Sequence, residues 1–303
     1  MPSETVSPAP PQLTRETFSP DLIGQVLALL PSMESRRSYR RGMEAMLAFA
    51  GNRPITRVLL YRWRDSLARK MTPSSVNARL AAARKLFLEA SRIGHFPRPI
   101  ALELCDVAPL KELGQSTGNW LSRDQARALL ANPDRRKLKG KRNYCILAIL
   151  LGCGLRRSEL AELQLEQIQT RDGRSVLADL RGKGGRVRTV AIPGWVKEAI
   201  DAWVKAAGIK SGRLIRRTTL APEGLSTSAI WEVVQKHAEA IGVPSFSPHD
   251  LRRTCAKFCR ARGGRIEQIQ AMLGHSSIAT TERYLGTIQD LKHAVNDDLG
   301  IWA

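Results

Sequence analysis

The chain has 303 residues, 43% of them hydrophobic, which excludes a disordered or fibrous protein and leaves room for about two folded domains. Its 48 Lys or Arg stand against 28 Asp or Glu, a formal net charge of +20. With 17 basic and 10 acidic residues up to Glu112 and 31 and 18 after it, the excess is no sticky tail, and a polyanion explains it better than a merely alkaline soluble protein.

Residues 1–14 are rich in Pro, Ser and Thr and read as a disordered segment. A helical domain is predicted over 15–104, where apolar residues recur at helical spacing. Tyr39, Met43, Met46, Leu47 and Phe49 mark a helix whose other face carries Arg36, Arg37, Arg40 and Arg41. That face suits a DNA backbone, although a solvated charged face has the same pattern. A second helix is predicted over about 56–70, and a third after Pro73 on Val76, Leu80, Ala83, Phe87 and Ala90. Residues 105–119 (CDVAPLKELGQSTGN) mix Pro, Gly and polar residues without a period, as a linker does.

A second domain is predicted over 120–303. Ser122 and Gln125 form a capping box for a helix through Leu130, and the apolar run Tyr144 to Leu151 reads as a buried helix. A hairpin follows, with strands over 175–180 and 187–192 joined at Gly182 to Gly185. Helices are predicted near 196–206 and 228–240. Ser247, Pro248 and Asp250 then supply an N-cap, a proline in the first turn and an acidic third position. Two more helices are predicted near 264–273 and 278–284. The fold class is therefore mainly α with a small antiparallel β-sheet.

Four separated segments carry the chemistry: GCGLRRSEL (152–160), RGKGGRVR (181–188), SPHDLRRT (247–254) and LGHSSIATTERY (273–284). Each is weak alone; an isolated His249, His275 or Tyr284 would read as packing. Together, in this order and inside a basic chain, they resemble the signature of the tyrosine recombinases, or phage-integrase family, of the two-domain Xer type. The resemblance rests on about residues 118–290; the N-terminal half is similar only in size and character. By that resemblance Arg156 is the first arginine, Glu159 a supporting acid, Lys183 the hairpin lysine and Tyr284 the nucleophile. His249 and Arg252 form the His-x-x-Arg pair, and His275 is the second histidine. Arg157 rivals Arg156 on composition alone. Arg181, Arg186 and Arg188 flank the lysine as expected DNA contacts.

The chemistry needs such groups. Attack on a phosphodiester builds negative charge that two guanidinium forks can clamp. A tyrosine, with pKa near 10, must be relieved of its proton as it attacks; His249 is the candidate acceptor. The resemblance implies a 3′-phosphotyrosyl intermediate, with Lys183 protonating the departing 5′-oxygen and no metal or other cofactor. It also implies a helical core-binding domain, double-stranded DNA as partner, and a homotetramer on two paired sites. Apolar positions after Leu285 (Ile288, Leu291, Ala294, Val295, Leu299, Ile301 and Trp302) give a tail expected to dock on a neighbouring protomer.

The remaining features are mostly exclusions. Cys105, Cys145, Cys153, Cys255 and Cys259 are an odd, sparse set, as in a reducing compartment. Cys255 and Cys259 could share a helix face, but nothing completes a zinc tetrahedron, so packed thiols are expected. No apolar run reaches 18 residues and no signal peptide is apparent, so the expected location is cytoplasmic, at the nucleoid, not a membrane. There is neither a phosphate loop nor an acidic cluster of a metal-dependent nuclease. A type IB topoisomerase-like enzyme and a non-catalytic DNA-binding protein are the alternatives; strand exchange between labelled duplexes separates the first, and a covalent adduct the second.

Overall fold

The computed structural model describes residues 13–111, 119–182, 185–218, 223–275, 281–282 and 285. Lys183, Tyr284, most of the helix expected near 278–284 and the apolar positions beyond Leu285 lie outside the described residues. The chain folds as two compact units, divided between Gly114 and Gln115.

The first unit is helical: α1 (Pro20–Ala28), α2 (Met33–Ala50), α3 (Arg57–Ala68), α4 (Pro73–Arg92) and α5 (Arg98–Cys105). The first four begin on a hydroxyl, with Ser19, Ser32, Thr56 and Thr72 each accepting from the backbone N–H three residues on. Such caps contribute about 1 kcal/mol each. Val76, Leu86, Phe87 and Ala90 of α4 are buried against Met43 and Met46 of α2 and Leu60 and Trp63 of α3. Phe18 meets Phe87 and Phe96 edge-on, at 5.7 and 5.9 Å between centroids. Arg37, Arg40 and Arg41 are exposed on α2. Arg36 differs from the expectation. Its guanidinium donates to the carbonyls of Leu30 (3.0 Å) and Ala28 (3.1 Å), closing the end of α1.

The second unit is helical around one small sheet. Its helices are α6 (Arg123–Ala131), α7 (Leu138–Cys153), α8 (Arg157–Glu162), α9 (Gly194–Ala207), α10 (Thr227–Glu239), α11 (Pro248–Ala261) and α12 (Ile266–Leu273). Both halves of the Ser122–Gln125 capping box form. Residues 145–150 of α7 are fully buried, because α9, α10 and α11 all pack on it. The sheet runs β1 (Ile168–Arg171), β2 (Arg174–Arg181) and β3 (Val187–Ala191), antiparallel throughout. Strand β1 was not expected. Three of its four residues are exposed, so it lacks apolar alternation. The Asp172-Gly173 pair that follows, with φ of 51° and 70°, is the hairpin signal that reveals it. A bulge between Leu177 and Leu180, where Asp179 has φ 54°, is braced by the Gln167 amide on the Ala178 and Asp179 carbonyls.

A polar chain, buried at Arg142, Asn143 and His237, joins α7 and α10 to Asn132, the residue that caps α6. The Asn143 carbonyl oxygen accepts from Arg142, which turns the Asn143 amide N–H toward His237 Nε2 at 3.0 Å. His237 Nε2 is therefore the acceptor, and Nδ1–H donates to Asn132 Oδ1. Burial first, and the Lys236 charge second, hold His237 below its ordinary 6.5. The folded state then binds fewer protons than the unfolded chain below about pH 6.5, so stability falls as pH drops through that window. His249 and His275 act in the same direction. In thermal denaturation, the stability gap between wild type and His237→Asn is expected to narrow from pH 8 to pH 5; a constant gap contradicts the neutral tautomer.

Candidate active site

Helix α7 ends at Cys153, and Gly154 takes the left-handed φ of 60° that turns the chain out of it. Arg156 follows in extended conformation, immediately before α8. Glu159, one turn into α8, accepts from the Arg156 backbone N–H through Oε2 and from Arg156 Nη1 through Oε1, both at 2.7 Å. Arg188 reaches the same carboxylate from β3 with a two-pronged fork, 2.8 Å to each oxygen. The Glu159 side chain is 3% exposed, Arg188 9% and Arg156 28%. Burial alone would raise the Glu159 pKa. The Arg188 hydrogen bonds and charge, with the hydrogen bonds from the Arg156 backbone and side chain, outweigh it and pull the carboxyl down to about 2.

The second wall is α11. Ser247 and Asp250 close a capping box at its start, which places His249 in the first turn and Arg252 one turn along. Arg252 is 1% exposed and donates to the carbonyls of Gly154 and Leu273. Helix α12 ends in Gly274, at φ 63°, with the His275 N–H returning to the Gln270 carbonyl. Three consecutive carbonyls at this end each accept from a different arginine. Met272 takes Arg188 Nε (2.8 Å), Leu273 takes Arg252, and Gly274 takes Arg156 Nη2 (3.2 Å). A Cβ on Gly274 would stand 2.9 Å from Arg188 Cδ, so the close approach also needs glycine.

His275 sits among these cations. Burial, then the charges of Arg252 and Arg156, push it down to about 4, and its Nδ1 lies 3.0 Å from Thr281 Oγ1. Burial and the charges of Arg253 and Arg252 hold His249 down as well, against the Asp250 carboxylate.

The structure thus brings together Arg156, Glu159, His249, Arg252 and His275, drawn from three separate segments. Lys183 and Tyr284 lie outside the described residues. The neighbouring Gly182 reaches the cluster: a Cβ there would stand 3.4 Å from Arg156 Nη1. Arg181 and Arg186 are exposed on the hairpin. Arg188, grouped with them from sequence, is instead turned inward onto Glu159. No sequence signal separates it from its neighbours, since its partner lies 29 residues away. Thr254 was also missed; it is buried, accepts from the Leu121 N–H at 3.0 Å and ties the start of this unit to α11. Cys255 is buried and Cys259 half-buried on α11. Among the described residues, no three His, Cys, Asp or Glu side chains gather as a metal site.

Comparison with known proteins decides the family. The profile of the Phage integrase family matches residues 119–289, more than half of the chain and all of the cluster above. The chain belongs to the phage integrase family. Within this family of tyrosine recombinases it is similar to tyrosine recombinase XerC of Thermodesulfovibrio yellowstonii, at 27% identity over 87% of this chain and 88% of the relative. It is 34% identical to tyrosine recombinase XerD of Pseudomonas aeruginosa, over 58% of this chain and 59% of that one. The crystal structure of the XerH site-specific recombinase bound to palindromic difH substrate, a post-cleavage complex, shares its fold, with a TM-score of 0.68 and 17% identity over 84% of this chain and 76% of the other.

The Glu159 cluster has a stability signature. A carboxyl held at about 2 in the folded state and near 4.5 when unfolded stabilises fully above pH 4.5, and that stabilisation is lost as pH falls toward 2. Glu159→Gln strands buried guanidinium charge and is expected to cost about 3 kcal/mol at pH 7. Denaturant titrations should show this gap closing between pH 4.5 and pH 2; a gap that persists undiminished contradicts the ionised carboxylate.

Proposed function

We propose that this chain is a site-specific DNA recombinase that cuts and rejoins duplex DNA through a 3′-phosphotyrosyl bond to Tyr284. The observation that carries this reading is the convergence of Arg156, Arg252, His249 and His275 at the ends of α7 and α12. Two guanidinium groups held by carbonyls and a carboxylate offer fixed positive charge where a phosphorane would develop negative charge. That arrangement costs no reorganisation as the reaction proceeds.

In this reading the Tyr284 hydroxyl attacks phosphorus, forms the phosphotyrosyl bond and releases the 5′-oxygen. The tyrosine proton passes to His249, which its depressed pKa keeps neutral at neutral pH and able to accept. Lys183 on the hairpin protonates the leaving 5′-oxygen. His275, with Nδ1 accepting from the Thr281 hydroxyl, carries its proton on Nε2 and donates to a phosphate oxygen. Attack by a 5′-hydroxyl from another strand reverses these steps and completes exchange. Glu159 supports Arg156, and the assembly needs no metal or other cofactor.

Double-stranded DNA is the partner. The related XerH was crystallised on its difH substrate, and the net charge of +20 spread over this chain favours the same class of ligand. Arg37, Arg40, Arg41, Arg181 and Arg186 are the exposed candidates for backbone contacts. The working assembly is a homotetramer on two paired sites, with residues after Leu285 docking on a neighbouring protomer. No described helix is long and apolar enough to cross a membrane, and the sparse cysteines fit a cytoplasmic, nucleoid-associated protein.

Tyr284→Phe is expected to bind a selected DNA site with near wild-type affinity and to form no covalent complex on a nicked suicide duplex. Adduct formation by this variant contradicts Tyr284 as nucleophile. Arg156→Ala is expected to slow single-turnover cleavage by roughly a hundredfold or more, about 3 kcal/mol of transition-state stabilisation. Arg157→Ala, half-buried at the first position of α8, should lose far less. Equal losses from the two variants contradict the assignment of Arg156.

A further inference from the structure

Arg188 is the arginine that the proposed chemistry leaves without a task, and it has the most structured surroundings of the three on the hairpin. We infer that Arg188 is a positioning residue that sets the geometry of Arg156, His275 and the hairpin by clamping β3 to Glu159 and to the end of α12. The inference rests on the recombinase reading above and assigns to Arg188 a role distinct from DNA contact.

Three observations converge on it. First, its Nη1, Nη2 and Nε atoms all bond inward, to Glu159 Oε1, Glu159 Oε2 and the Met272 carbonyl, each at 2.8 Å. All three nitrogens of this 9% exposed side chain are thereby engaged by acceptors on two other elements, α8 and α12. Second, the partners lie on different elements. Glu159 lies in the first turn of α8 and holds Arg156; Met272 lies in the last turn of α12, three residues before His275; Arg188 itself lies five residues beyond Lys183. One guanidinium therefore joins the three segments that carry those groups. Third, its stem lies across Gly274, where a Cβ would stand 2.9 Å from Arg188 Cδ and 3.3 Å from Nε. The glycine that turns the chain toward His275 also makes room for this arginine.

Lysine cannot substitute. It offers a point charge without the planar fork needed to meet two carboxylate oxygens and a carbonyl together. Without Arg188, Glu159 stays buried with Arg156 as its one bonded cation among the described residues; Glu162, Asp179 and Arg181 line the same cavity as Glu159. Burial already works to raise its pKa, and Arg188 is the largest influence opposing it. Losing Arg188 therefore moves protonation of Glu159 up toward the working range of pH. Protonated Glu159 accepts less strongly from Arg156, so the variant loses rate as pH falls and regains it as pH rises. Stability of this chain also falls with pH, so a thermal transition that stays well above the assay temperature at each pH separates this loss of rate from unfolding.

The test uses the full chain and a nicked suicide duplex bearing a site that the wild-type protein selects from random-sequence duplexes. Single-turnover cleavage at saturating DNA is measured from pH 5 to pH 8.5 for wild type, Arg188→Lys, Arg188→Met, Glu159→Gln and the Glu159→Gln/Arg188→Lys double variant. Expected are near wild-type DNA affinity and cleavage slowed by roughly a hundredfold in both Arg188 variants, the scale of a small misplacement. Their rate relative to wild type should fall further as pH drops, and replacing Glu159 by Gln should abolish that pH dependence. Weaker binding with unchanged cleavage at saturation would make Arg188 a DNA contact and overturn the inference. A rate ratio flat across pH would also overturn it, by separating Arg188 from Glu159. So would loss of a cooperative thermal transition in Arg188→Lys, which keeps charge and bulk. Absence of a covalent adduct with wild type would instead contradict the recombinase reading itself.

Discussion

Three guanidinium groups meet at the carbonyl end of one short helix, and like charges gathered so closely repel unless anionic groups lie between them. The last carbonyls of α12 supply partial negative charge, one for each arginine. Glu159 supplies a full charge, shared between Arg156 and Arg188. Three arginines against one carboxylate still leave the site cationic, so it is stabilised further by an added anion. In the proposed reaction that anion is a DNA phosphate, which would meet guanidinium groups already fixed by Glu159 and the backbone carbonyls.

The rest of the catalytic unit follows from this arrangement. Residues 145–151 of α7 are buried, and the end of the helix, at Gly154, holds one carbonyl in reach of Arg252. The sheet exists in part to deliver Arg188 from β3. Helix α11 begins on a capping box that fixes the turn bearing His249, and Thr254 on the same helix anchors the entering chain at Leu121. Buried arginines on backbone carbonyls are costly to desolvate, and they are retained where geometry matters more than stability.

Much of this was legible in the sequence. The capping boxes at Ser122 and Ser247, the buried run in α7 and the hairpin at Gly182 rest on local signals, and each stands within a few residues of its expected place. The resemblance, spread over four segments, groups Arg156, His249, Arg252 and His275, and the fold places them side by side. Other features were hidden for physical reasons. Strand β1 presents exposed polar residues, so its alternation is silent, and its Asp172-Gly173 turn is a two-residue signal. Arg36 and Arg188 sit in arginine runs that read as solvated or DNA-facing, whereas their partners are backbone carbonyls and a distant glutamate. Pairing of that kind is tertiary, and periodicity holds no trace of it.

The claim on which the account depends is that the arginine cluster is preassembled for a phosphate attacked by Tyr284. Its most direct test is a crystal structure of the full chain on a cleaved DNA site with orthovanadate in place of the scissile phosphate. The account predicts vanadium bonded to Tyr284 Oη and to a 5′-oxygen, with Arg156 and Arg252 donating to its equatorial oxygens. Glu159 should remain bonded to both Arg156 and Arg188, as it is without DNA. An Arg156 released from Glu159 to reach the vanadate, or a vanadium bonded to an oxygen other than that of Tyr284, would contradict it.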